Sequence, residues 1–380
     1  MKDWDVIAAS VWRSYRYHTT RGLREAGLRV LVLEASPRRI VGEKHRISIP
    51  AFGLTQARRL VPSNMRDAVL FSAYRRLDAF AARQCHLGKC FWGWSGQSLA
   101  ALKAARRQGL PGILDSGSTH IGWFSERVER EFKLHGTNFS FPPSRHRLNK
   151  IIAAEYDAAE FVCIPSKFVA STFLDAGFPE EKICLNPYGV DVQFWKRTSE
   201  EERTADRPFH AIFTGTMLLR KGLWYLLEAW KKLAPNDAKL TLVGSIYPDC
   251  QQLMKNLPPG VDWVGRLDQA ALRELYRQAD LFVLPSLEEG MARAVLEAMA
   301  AGLPALVTYE TGTTDIVLEG ESGWVIPSAD VDALASRLQH AIESRDKLRG
   351  MGASALERVA PFTWKAYGER AAAFLRNVNS

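Results

Sequence analysis

The chain alternates short apolar runs of strand length with longer segments whose apolar residues recur every three or four positions. Runs at 5–10, 29–35, 89–94, 111–116, 161–166 and 182–190 are nearly continuous in apolar residues, the pattern of strands buried on both faces of a parallel sheet. Between them the periodicity predicts helices around 18–27, in SLAALKAARRQG (98–109) and in SERVEREFKLHG (125–136), with a basic, proline-containing connection over 136–150. The alternation resumes with strands at 211–215, 239–244, 261–265, 281–286 and 304–309. One intervening helix, GLWYLLEAWKKL (222–233), carries Leu223, Leu226, Leu227 and Trp230 at the spacing of a buried face. Over 190–208 the chain turns polar and charged, which places a boundary near residue 200: an N-terminal domain of residues 1–200 and a C-terminal domain of 201–380, the last helix a candidate to cross back. Two such units in tandem make doubly wound α/β domains facing a cleft.

A length of 380 residues suits two domains, and 47% hydrophobic with 24% charged residues is the composition of a soluble globular protein. No apolar run approaches a membrane span, the N-terminus does not read as a signal peptide, and five cysteines without framework spacing suit a reducing compartment. A cytoplasmic home is expected. Charge changes the picture more. Residues 1–150 hold 26 Lys and Arg against 11 Asp and Glu, whereas the rest of the chain is net negative. The excess peaks over 55–83, where Arg58, Arg59, Arg66, Arg75, Arg76 and Arg83 interleave with apolar residues at roughly helical spacing. Such a segment suits an anionic membrane surface, and equally a solvated helix face with snorkelling arginines. No recognition motif accompanies the charge, so nucleic acid ranks last as a partner.

The chemistry concentrates in LPSLEEGMARAVLEAMAAG (284–302). Glu289 and Gly290 fall in a loop at the carboxyl end of the 281–286 strand, and Glu297 falls on the helix that follows. Two carboxylates around a helix N-terminus, itself an anion site, suit a ligand with hydroxyls on both sides of a diphosphate: a sugar nucleotide. A second loop on the same sheet edge carries Gly215 and Arg220-Lys221-Gly222, a plausible anion site at a helix start.

These residues resemble the large retaining glycosyltransferase family 4, which has the GT-B fold of two Rossmann-like domains facing a cleft. Its E-x7-E signature appears as Glu289 and Glu297, and its strand-G…KG loop as Gly215 and Lys221-Gly222. The stretches 158–191 and 308–338 are similar as well. The resemblance implies that Glu297 accepts ribose hydroxyls and Glu289 a hexose hydroxyl. It also implies that N–H groups of Gly290, Met291 and Ala292 face the donor, that Lys221 neutralises the diphosphate, and that Gly265, Arg266 and Leu267 hold the base. His120 matches a family histidine near the donor sugar, and can equally cap its helix. The residue after Gly215, often arginine in the family, is Thr216, with Arg220 a candidate to supply the charge. The family's glycine-rich first turn is replaced by Ser10-Val11-Trp12-Arg13-Ser14, which cannot approach a phosphate as glycine does.

His18, Trp94 and Gln97 occupy strand-to-helix positions where a sugar acceptor could meet them, with core packing as the other reading. Asp330-Val331-Asp332 reads as the first turn of an amphipathic helix, and no spacing makes a metal site, so neither metal nor cofactor is expected. The resulting expectation is a metal-independent retaining transferase. It uses a UDP- or GDP-sugar and a glycan or lipid-linked acceptor at the cytoplasmic membrane face. The rivals are a nucleotide-sugar epimerase on the same fold and a non-catalytic nucleotide-sugar-binding subunit.

Overall fold

A computed structural model describes residues 3–11, 14–35, 46–48, 66–136, 143–196 and 207–378. The first apolar runs become β1 (Trp4–Ser10), β2 (Val30–Glu34), β3 (Arg46–Ser48), β4 (Gly88–Trp94), β5 (Gly112–Asp115), β6 (Phe161–Ile164) and β7 (Ile183–Leu185). They form one parallel sheet in the order β3-β2-β1-β4-β5-β6-β7. The second sheet, also parallel, runs β10 (Val261–Trp263), β9 (Ala238–Val243), β8 (Phe209–Thr214), β11 (Leu281–Leu284), β12 (Ala305–Thr308) and β13 (Gly323–Ile326). Val6 to Ala9 and Leu281 to Leu284 are all but inaccessible, because helices cover both faces. Strand order reverses between β1 and β4 and again between β8 and β11, the positions where α/β sheets bind ligands at their carboxyl ends.

The sequence expectation needs correction in three places. The 136–150 connection is not loop throughout: the helix Pro143–Ala158 begins inside it, with proline at the first helical position, where a missing N–H is not felt. Two strands lie outside the expected runs: β3, Arg46-Ile47-Ser48, has a single apolar residue, and β13, Gly323-Trp324-Val325-Ile326, has an apolar run of only three. The basic 55–83 segment becomes the helix Arg66–Gln84, whose Ala73, Leu77 and Ala81 are core residues of the first domain. Arg75 is spent internally, donating to Asp78 Oδ2 at 3.0 Å and to the Gly96 carbonyl at 2.6 Å, while Arg76 and Arg83 are exposed. Arg58 and Arg59 lie outside the described residues, as does the 197–206 stretch that holds the expected boundary.

The helix Trp364–Val378 packs on the first sheet. A Cβ at Gly22 would stand 2.3 Å from the Gly368 Cα, so only paired glycines let this helix touch Ser14–Glu25 backbone to backbone. Ala371, Ala372 and Leu375 join Val6, Ala8, Val30, Val32 and Trp92 in one buried cluster. Beneath it the Tyr367 hydroxyl reaches Thr19 Oγ1 (2.9 Å) and Asp115 Oδ2 (3.3 Å), and burial pushes the Asp115 carboxyl up to about 7.

The domains meet closely. Val128 and Phe132 of the helix Ile121–Leu134 belong to the second domain's apolar cluster. Tyr225 donates to Glu131 Oε2 (2.9 Å), Arg127 pairs with Glu310 (3.0 Å) and also reaches Ser328, and Ser166 Oγ donates to the Gly290 carbonyl (2.6 Å).

Candidate active site

Two loops of the second domain converge at its β8/β11 switch point. After β8 the chain passes Gly215 and Thr216 into the short turn Leu219–Lys221, then Gly222 at φ 70°. A Cβ at Gly222 would lie 1.9 Å from the Pro285 carbonyl oxygen, so this turn lies on the exit of β11 only because residue 222 is glycine. The contact brings Lys221 and Arg220 over Glu288-Glu289-Gly290. Glu289 is paired with Lys221 Nζ at 2.5 Å and Arg220 at 2.9 Å. Burial works against its charge, but Lys221 and Arg220 outweigh that and hold it below the ordinary glutamate range.

Glu288, which the sequence reading passed over, is buried and bridges the domains. It pairs with Arg220 at 2.8 Å and accepts from Ser118 Oγ (2.7 Å), Thr119 Oγ1 (2.9 Å) and the Thr119 N–H (3.2 Å). Burial penalises the Arg220 charge, and Glu289 and Glu288 more than restore it. Gly290 touches the first domain: a Cβ there would stand 2.0 Å from the Gly117 carbonyl oxygen. Together these residues close one side of an interdomain cavity of about 610 Å³, lined also by Thr216, Phe71, Phe124, Arg145 and Leu148.

Glu297 lies elsewhere. It opens onto a second cavity of about 640 Å³ with Arg293, His18, Gln269, Asp191 and Trp364. Glu289 therefore lines the first cavity and Glu297 the second, with Gly290 and Arg293, three residues apart, on the same two sides. Burial raises the Glu297 carboxyl to about 7, with nearby Arg293 opposing, so it is only partly ionised at neutral pH. His18 stacks on Trp364 with ring centroids 3.8 Å apart. Burial, then Arg293 and Arg21, lowers its pKa to about 4, which makes it a neutral ring at physiological pH.

Other expected contacts are committed within the fold. The Ala292 N–H donates to the Thr311 carbonyl (3.0 Å) and so does not face a ligand. The Gly215 N–H donates to the Val243 carbonyl (2.9 Å). Arg266 and Leu267 are exposed and line neither cavity. His120 caps its helix, Nδ1 accepting from the Gly122 N–H at 3.3 Å, and its ring lies against Tyr156 and Phe173, where burial lowers its pKa. Trp94 and Gln97 are buried, and Gln97 Oε1 accepts from the Val11 N–H (2.7 Å) across the β1/β4 switch point, so neither presents itself to an acceptor. Trp12 and Arg13 lie outside the described residues. Among the described residues no group of three or more His, Cys, Asp or Glu could hold a metal ion.

Residues 208–344, which contain both loops, match the family model described as glycosyl transferases group 1. The C-terminal domain belongs to the group 1 glycosyltransferases. Among curated relatives of this glycosyltransferase domain is the putative colanic acid biosynthesis glycosyltransferase WcaL of Salmonella typhimurium, 28% identical over 53% of this chain and 53% of that protein. The amylovoran biosynthesis glycosyltransferase AmsK of Erwinia amylovora is 29% identical over 67% of each. The chain spans about half the length of most curated relatives it matches. Solved structures extend the likeness to the whole two-domain fold. Sucrose-phosphate synthase from Thermosynechococcus elongatus superposes with a TM-score of 0.73 at 18% identity, covering 99% of each chain. Anabaena HepE, solved in complex with UDP and glucose, gives 0.71 at 16% identity, covering 98% of this chain and 100% of that one. The fold is GT-B, as the E-x7-E resemblance implied.

Proposed function

We propose that the protein is a retaining glycosyltransferase that moves a sugar from a UDP- or GDP-sugar to a hydroxyl acceptor. The observation that carries this reading is the convergence of Lys221, Arg220 and Glu289 at the switch point of a domain whose family is glycosyl transferases group 1. In the transfer, the bond from the anomeric carbon to the diphosphate oxygen breaks and a bond to the acceptor oxygen forms on the same face. The acceptor proton passes to the departing phosphate oxygen. Lys221 and Arg220 stabilise the charge that grows on that phosphate, the effect that usually dominates such catalysis. Two side-chain cations here supply what a metal would otherwise supply, so we propose metal independence. In this reading the donor reaches from the first cavity to the second, so that Glu289, anchored by the same cations, accepts a hexose hydroxyl and Glu297 meets ribose hydroxyls.

The close domain contacts through Glu288 and Gly290 support a closed form that excludes water from the donor. Exposed Arg76, Arg83, Lys103, Arg106 and Arg107, on helices that pack together, support an acceptor presented at an anionic membrane face. Among the described residues no helix is long and apolar enough to cross a membrane. The five cysteines are free and buried, which favours the cytoplasmic side.

The direct test is thermal shift against UDP, GDP and ADP and their sugars, followed by nucleoside diphosphate release with acceptor extracts. Stabilisation by one nucleotide, and release that depends on acceptor and on Lys221, is expected. A protein that no nucleoside diphosphate stabilises at millimolar concentration is not this enzyme. Two observations favour a non-catalytic binding subunit: Glu289 and Glu288 together already pair with Lys221 and Arg220, and Thr216 stands where the family often has arginine. Nucleotide-sugar binding without turnover against any acceptor extract would establish it.

A further inference from the structure

We propose that the interdomain cavity takes an acceptor whose reacting hydroxyl is carried on an apolar body, an alkyl or aryl aglycone, rather than a free sugar. The proposal rests on the glycosyltransferase reading and names the acceptor class for that site. A volume of about 610 Å³ lies within the ~300–1,000 Å³ usual for small-molecule sites. Its two walls differ in kind. The second domain contributes Thr216, Arg220, Glu288 and Glu289, the polar groups beside which a hydroxyl can react. The first domain contributes mainly Leu70, Phe71, Phe124, Val128, Phe132 and Leu148, drawn from three separate helices, with Tyr74, Ser118 and Arg145 as its polar members.

A sugar carries hydroxyls around its whole rim. Laid on this wall, where apolar residues outnumber the polar ones, most of those hydroxyls lose water without gaining a partner, at a cost for each group. An aglycone instead removes apolar surface from water on both sides of the contact. The arrangement also fits the direction of transfer: the polar end of an amphipathic acceptor meets Glu289 and Arg220, and its apolar end points toward the Arg66–Gln84 and Pro143–Ala158 helices.

The test uses methyl, butyl and octyl β-glucosides below their micelle concentrations, with binding read by thermal shift and titration on the full chain. Affinity should rise with chain length, by up to about fourfold for each methylene fully buried. Phe71→Ala and Leu148→Ala should flatten that rise, whereas Leu134→Ser, at a leucine 63% exposed on the outside of its helix, should leave it intact. Equal affinity for the three glucosides in the unmodified protein overturns the proposal without needing any variant. A rise that persists undiminished in both cavity variants also overturns it, because the chains then sit elsewhere. UDP and GDP shifts in the same samples report on the donor reading alone, so loss of that reading and loss of this one are separately visible.

Discussion

Replacing Glu297 by glutamine should stabilise the protein and weaken its donor binding at the same time. In the folded chain burial lifts this carboxyl from the ordinary 4.5 to about 7, against the partial opposition of Arg293. The folded state therefore holds the proton through a pH range in which the unfolded state has lost it, and stability falls as pH rises. The contribution is intact below about pH 4.5, declines between 4.5 and 7, and is gone above 7. At about 1.4 kcal/mol for each pH unit, that window amounts to roughly 3 kcal/mol. Glutamine has nearly the same shape and no proton to lose. Denaturation of the two proteins should coincide near pH 4.5, and the variant should be the more stable by up to about 3 kcal/mol at pH 8. In the same protein the thermal shift produced by the donor nucleotide should shrink, since an acceptor-only carboxylate no longer meets the ribose. A stability difference of equal size at pH 5 and pH 8 would refute the linkage, and an undiminished nucleotide shift would remove Glu297 from the donor site.

Lys221→Ala should slow transfer about 10²- to 10³-fold, the usual effect of deleting one group aimed at developing charge, as read by nucleoside diphosphate release. Gly290→Ala places a methyl 2.0 Å from the Gly117 carbonyl oxygen, and should cost about 1–3 kcal/mol while loosening the domain contact, seen as a larger radius in small-angle scattering. Glu288→Ala removes the acceptor of Ser118, Thr119 and Arg220 together, and should destabilise by about 3 kcal/mol in denaturant titration. Gln97→Leu leaves the Val11 N–H without its acceptor, and should cost about 1–3 kcal/mol in Tm-derived stability with nucleotide affinity unchanged.

The two sheets were legible because parallel strands covered on both faces need continuous apolar runs, and the chain shows them from 5–10 through 304–309. The loops bearing Lys221 and Glu289 were legible for the same reason: each follows such a run and is punctuated by glycine. What sequence spacing could not convey is which cavity each carboxylate reaches: Glu289, in the loop before the helix Arg293–Ala300, lines the first, and Glu297, on that helix, the second. Glu288 was overlooked beside Glu289 although the doublet is plain in the chain, because its partners Ser118 and Thr119 are about 170 residues away. Trp94 and Gln97 show the opposite error. Trp94 ends β4 as a core residue, and the buried N–H at Val11 needs the Gln97 amide.

The return of Trp364–Val378 to the first sheet has a consequence for the order in which the chain is made. Until that helix exists, the face formed by Val6, Ala8, Val32 and Trp92 lacks the cover of Ala371, Ala372 and Leu375. At about 5–20 residues per second, the ribosome needs roughly ten to forty seconds to travel from the end of the first domain to that helix. Through this interval the first-made half carries an open apolar face. The first domain is thus completed only after the second has been made, when the helix Trp364–Val378 emerges to cover that face.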